Sequence, residues 1–135
     1  MRRIFLGLLI ALNVLCLCGC TLMSQERVKL RDLDFTVLSE EKIPQELAEI
    51  LEEKKSEAFQ LTYKDGEALY ICIGYGPQET GGYSIAVNDL YLTDTAIYVS
   101  TSLLGPQPEE KSNKTVSYPY IVIKTEYLDQ TVMFE

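Results

Sequence analysis

Apolar positions fall in three regimes along this chain. The first is a nearly unbroken run from Ile4 to Leu17, interrupted by Gly7 and Asn13. A polar stretch over 21–33 follows and predicts a tether of little periodicity. From Asp34 the apolar residues Phe35, Val37 and Leu38 predict a first strand. Ile43-Pro44 opens a helix, with Pro at its favoured first position. Leu47, Ile50 and Leu51, with Ala48 beside them, form one apolar stripe. Glu46 stands early and Lys54 and Lys55 late, which suits the helix dipole, so the helix ends near Lys55. The outer residues Glu49, Glu52 and Glu53 form a solvated face, not a metal site.

From Ala58 the period changes to two. Phe59, Leu61 and Tyr63 alternate with Gln60 and Thr62. Asp65-Gly66 predicts a two-residue hairpin turn with positive φ. The return strand puts Leu69, Ile71 and Ile73 on one face and Tyr70 and Cys72 on the other. It ends at Gly74-Tyr75-Gly76-Pro77. After a loop at 78–82 come Tyr83, Ile85 and Val87. The alternation slips at Asn88-Asp89, which predicts a bulge, and Leu90, Tyr91 and Leu92 continue the strand. Thr93-Asp94-Thr95 is a turn, and Ile97, Val99, Thr101 and Leu103 form the next strand. Residues 105–115 are polar with two prolines and read as an exposed loop. A long strand runs from Tyr118-Pro119-Tyr120 through Lys124. Val132, Met133 and Phe134 suggest a short final one. These elements predict an α+β fold, one amphipathic helix packed on a twisted antiparallel β-sheet in a single small domain.

The beginning of the chain has the order of an export signal. Met1-Arg2-Arg3 is a basic start, and the apolar run behind it is shorter than the about 20 residues of a membrane span. It ends in Leu17-Cys18-Gly19-Cys20, which resembles the lipobox of bacterial lipoproteins. Small residues there let a peptidase grip an extended backbone, and the Cys thiol takes the lipid. The expected organisation is therefore a lipoprotein signal peptide over 1–19, the lipidated Cys20 and tether over 20–33, and the domain over 34–135. This places the domain outside the cytoplasm, on the cell surface or facing the periplasm, anchored through lipid to the membrane.

Charge and cysteine usage narrow the chemistry. The full sequence carries a net −8, and loss of Arg2 and Arg3 makes the remainder more negative. That argues against nucleic acid and against lying flat on anionic lipid. Cys16 and Cys18 would leave with the signal and Cys20 would be modified, so Cys72 stands alone as a small buried hydrophobe. The sequence has no histidine. Ser-His-Asp and Cys-His catalysis and the commonest metal ligand are thereby excluded. No spacing marks a Ser-Lys pair or a carboxylate dyad, so we expect no enzyme, catalytic residue, metal or cofactor.

One constellation stands out: Gly74-Tyr75-Gly76-Pro77, then Thr80-Gly81-Gly82-Tyr83-Ser84-Ile85, and later Tyr118-Pro119-Tyr120. Together, over roughly 60–125, these resemble the C-terminal domain family of the protease-complex subunit PrcB. That family is similar in its G…TGGY signature, a hairpin and a late PY strand. Its Pro often directly precedes the Thr, whereas here Gln78 and Glu79 intervene. The resemblance implies a non-catalytic accessory subunit of a surface protease. On physical grounds Thr80-Gly81-Gly82 can adopt angles closed to other residues and approach a partner closely, and Tyr83 adds a large anchor with a polar tip. A turn with Tyr83 facing the core fits the same residues. No Lys follows and no helix begins there, so this is not a phosphate loop.

The expected contact region is thus Pro77, Thr80, Gly81, Gly82 and Tyr83 with Tyr118, Pro119 and Tyr120. The expected partners are the membrane, through the lipid, and an extracytoplasmic protease. TGGY also resembles the loop of chagasin-like protease inhibitors, so inhibition is the alternative, and a cell-envelope scaffold or ligand-binding domain is the third. The nine tyrosines would form an interaction patch if several shared an exposed face.

Overall fold

The computed structural model describes residues 27–110 and 114–135. The apolar run, the lipobox and Cys20 lie outside the described residues, as do positions 111–113 of the polar loop. Among the described residues there are one α-helix and eight strands. In chain order they are β1 (Lys29–Asp32), β2 (Phe35–Val37), α1 (Gln45–Lys54), β3 (Ala58–Lys64), β4 (Ala68–Tyr75), β5 (Ser84–Thr93), β6 (Ala96–Leu104), β7 (Tyr120–Glu126) and β8 (Thr131–Phe134).

The fold is α+β, but its strands divide between two sheets where the alternation suggested one. The first has the order β1-β5-β6-β8 and the second β2-β7-β4-β3. All pairings are antiparallel except β6 with β8, where Ala96 opposes Thr131 and Val99 opposes Phe134. Leu69, Ile71 and Ile73 of β4 meet Leu90, Leu92, Ile97 and Val99 of the facing sheet, with Ile121 and Ile123 of β7. The opposite face of β4 carries Tyr70 and Cys72, which pack with Val122 against Leu47 and Leu51 of α1. The molecule is therefore three layers deep. β4 is covered on both sides, which is why its apolar run is continuous instead of alternating. Period-two patterning gives the two faces of each strand but does not say which sheet a strand joins.

The helix closely follows its sequence signals. Pro44 sits one position earlier than expected, as the N-cap with an extended backbone, and Gln45 is the first helical residue. Leu47 and Leu51 are buried, but Ile50 is 37 % exposed. The buried stripe is therefore narrower than the i, i+3, i+4 pattern implies, because a single sheet face covers it.

Two local expectations are corrected. Residues 29–33 belong to the fold, not to a tether. β1 pairs with β5, the Leu33 amide donates to the Leu90 carbonyl at 3.0 Å, and Leu33 enters the core. All four β1 side chains are exposed, so backbone bonds hold this edge strand and no buried alternation marks it. Arg31 pairs with Glu126 at 2.6 Å, joining the two sheets along this flank. At the β3–β4 hairpin only Gly66 has a positive φ, of 88°. Asp65 instead accepts the amides of Glu67 and Ala68, each at 2.9 Å, and the Tyr70 hydroxyl at 3.1 Å. This side-chain turn replaces the two-residue positive-φ turn. The slip at Asn88-Asp89 is a register shift between Val87 and Asp89, as the alternation predicts.

Candidate functional site

The site is built where β4 ends and β7 begins. Gly76 leaves β4 with φ 74°, and a Cβ there would lie 3.0 Å from the Ala58 backbone nitrogen, so only glycine fits without strain. Pro77 is exposed. Gln78 then bonds Ser117 in both directions: its amide donates to the Ser117 carbonyl at 2.8 Å, and the Ser117 amide donates back at 3.0 Å. The Ser117 hydroxyl donates to the Thr80 carbonyl at 2.6 Å. Just beyond, the Tyr75 amide donates to the Pro119 carbonyl at 3.1 Å. The loop after β4 and the segment before β7 are thus stitched together over three consecutive contacts.

This stitching gathers the predicted residues. Thr80, Tyr83, Glu79, Pro106 and Lys114 line a cavity of about 610 Å³. Tyr83 also lines a smaller cleft of about 240 Å³ with Pro119, Tyr120, Val37 and Ile85. Tyr83 is half-buried and lines both. Tyr118 is 41 % exposed. Tyr120 is half-buried against the helix-side cluster, and that burial raises its pKa above the ordinary phenol range. Gly82 is exposed with φ 84°; Gly81 does not have a positive φ. The conformational freedom expected of the Gly pair is used at Gly82 alone.

Some residues of the site were not legible as such. Gln78, which lengthens the loop between Pro77 and Thr80, is its main backbone tie. Ser117 falls outside the alternation of β7. The Tyr75 hydroxyl reaches across to the Thr101 hydroxyl at 2.7 Å and so links the site's base to the facing sheet. A polar residue ending an apolar strand, opposite a threonine at a core-facing position, is the only available hint.

The tyrosines do not share one face. Tyr91 and Tyr98 stack with centroids 5.4 Å apart, and Arg27 and Lys29 cover their rings at 4.1 and 5.5 Å from Tyr98 and Tyr91. Tyr63 and Tyr70 meet at 5.9 Å on the helix side of the other sheet. Cys72 is wholly buried, and burial pushes its thiol up to about 12, as befits a small core hydrophobe. Among the described residues no group of three His, Cys, Asp or Glu could hold a metal.

The site therefore offers shape and a few polar groups, with the Gly-rich loop and the PY strand side by side. Residues 69–126 match the PrcB C-terminal family. The matched stretch runs from the middle of the core through β7 and includes the whole stitched loop. It bears out the resemblance carried by the G…TGGY and PY motifs. No curated protein and no solved structure matches the chain.

Proposed function

We propose that this chain is a non-catalytic protein-binding module, an accessory subunit of an extracytoplasmic protease complex, held to a membrane by lipid on Cys20. The lipobox-like Leu17-Cys18-Gly19-Cys20 supports the anchor. The PrcB C-terminal match supports the accessory role. The single observation that supports the contact surface is the triple tie between 75–80 and 117–119, which brings the loop carrying Pro77 and Gly82 beside the segment carrying Tyr118. A loop fastened in this way suits a broad contact with a partner.

The test is cross-linking in native membranes followed by purification of the chain and identification of what it carries. Pro77→Ala with Tyr118→Ala removes two exposed side chains without touching a buried one. A protease recovered with the wild type and lost with this variant supports the reading. Slowing of that protease by the added chain would favour inhibition, and recovery of no protease would favour a scaffold. Mass spectrometry of the chain from the membrane fraction should find an N-terminal Cys20 carrying acyl chains. An unmodified Cys20 would mean that the lipid anchor is wrong.

A further inference from the structure

Among the described residues nothing covers the flank opposite β1 and β2. β3 ends one sheet and β8 ends the other, and both border the same groove. Two adjoining clefts of about 450 and 360 Å³ run along it and share Gln60 and Phe134. The floor is formed by Ile73, Gly74, Tyr75, Val99 and Thr101.

The β3 edge is long, and among the described residues no further strand pairs with it. Its register with β4 is unbroken from Ala58 opposite Tyr75 to Lys64 opposite Leu69, so no bulge bends it away. It contains no proline, and its only charged side chain is Lys64, at the very end. These are the devices that normally blunt an edge. The direction of its peptide groups follows from the ladder. The Tyr75 amide serves β7, so Gly74 turns its peptide groups to its β3 partner Phe59. By alternation Phe59, Leu61 and Tyr63 serve β4, and the amides and carbonyls of Gln60 and Thr62 point away from the sheet. The side chains alternate too. Phe59, Leu61 and Tyr63 pack on the helix side, which leaves Gln60 and Thr62 on the groove side.

Charge completes the description. Glu135 stands at one end of the groove, already paired with Arg27, and Lys64 and Asp129 stand at the other. The middle, around Gln60, Thr62 and Phe134, is uncharged. We infer that the free edge of β3 binds an extended, centrally uncharged segment of a partner polypeptide, which adds as a fifth strand and places alternate side chains in the groove. This inference stands apart from the loop site: the two share Tyr75 only as part of the fold.

The probe is a random library of peptides about ten residues long, the upper range for a strand, selected on the full chain. The enriched peptides should lack central proline and central charge and should alternate in polarity. Thr62→Pro removes one outward amide without touching the β3–β4 ladder, and it should weaken them up to roughly tenfold, the effect of losing one hydrogen bond. Backbone N-methylation of the selected peptide should abolish binding at every second residue and be tolerated between. This second measurement decides the matter if Thr62→Pro fails to fold. No enrichment, binders that tolerate methylation everywhere, or binding indifferent to Thr62→Pro in a folded variant would overturn the inference. So would self-association of the full chain that Thr62→Pro abolishes, because the occupant would then be a second copy.

Discussion

The hydroxyl of Ser117 donates to the carbonyl of Thr80 at 2.6 Å, across 37 positions of sequence. It fastens the Gly-rich loop to the segment that leads into β7. Ser117→Ala leaves the Thr80 carbonyl without this donor and should cost about 0.5–1.5 kcal/mol in urea unfolding. Hydrogen exchange should accelerate at 78–83 well beyond the change elsewhere. Uniform acceleration would mean that the bond stabilises the domain without holding the loop.

Gly74 lies beneath the ring of Phe59, and a Cβ built there would sit 2.2 Å from a ring carbon. Gly74→Ala should therefore destabilise by about 1–3 kcal/mol, as overpacking does. Shrinking the ring in a Gly74→Ala, Phe59→Leu double variant should recover part of that loss. Additive losses in thermal melts would place the strain somewhere other than the ring.

Asp65 sets a pH dependence. The amides of Glu67 and Ala68, and then the Tyr70 hydroxyl, stabilise its carboxylate and lower its pKa. A depressed folded pKa contributes stability that is fully present above the unfolded value of about 3.9 and is lost as pH falls through the folded one. Asp65→Ala should lower the midpoint of thermal unfolding at neutral pH. Its difference from wild type should shrink as the solution is acidified below that window. A difference independent of pH would assign the effect to the turn's backbone and not to the charge.

Leu47 and Ile50 sit on the same helix with different surroundings, the first wholly buried and the second 37 % exposed. Leu47→Ala should cost about 2–5 kcal/mol. Ile50→Ala should change stability by less than about 1 kcal/mol. Equal costs in chemical denaturation would show that something covers Ile50 in solution.

The same pair marks where the sequence is legible. Period and turn chemistry located α1, the β3–β4 hairpin, the bulge at Asn88-Asp89 and the strand after Tyr118, because each leaves a local signature. They did not distinguish Ile50 from Leu47, since how wide a stripe is buried depends on what packs against it. β1 escaped notice because it is held by peptide hydrogen bonds and ion pairs with all four side chains exposed. The division into two sheets is a property of distant pairings, such as Phe35 with Thr125, which no short window contains. At the candidate site the Gly-rich and PY motifs were visible as residue types. Their joining through Gln78 and Ser117 was not, because that tie runs mainly through the backbone.

β4 serves as the common wall of both cores, with Ile71 turned to one and Cys72 to the other. Neither half can melt and leave the other a complete lining, so the loss of either exposes apolar surface in both. Folding should then be all-or-none, with fluorescence and circular dichroism tracing one coincident transition. That cooperativity depends on closing long loops. Thr125 must find the Asp34 carbonyl 91 positions away before β2 is fixed, and chains ruled by such remote contacts assemble slowly. A chain that folds slowly and all at once leaves the apolar residues of β4 uncovered for longer, until the single transition closes both cores over them.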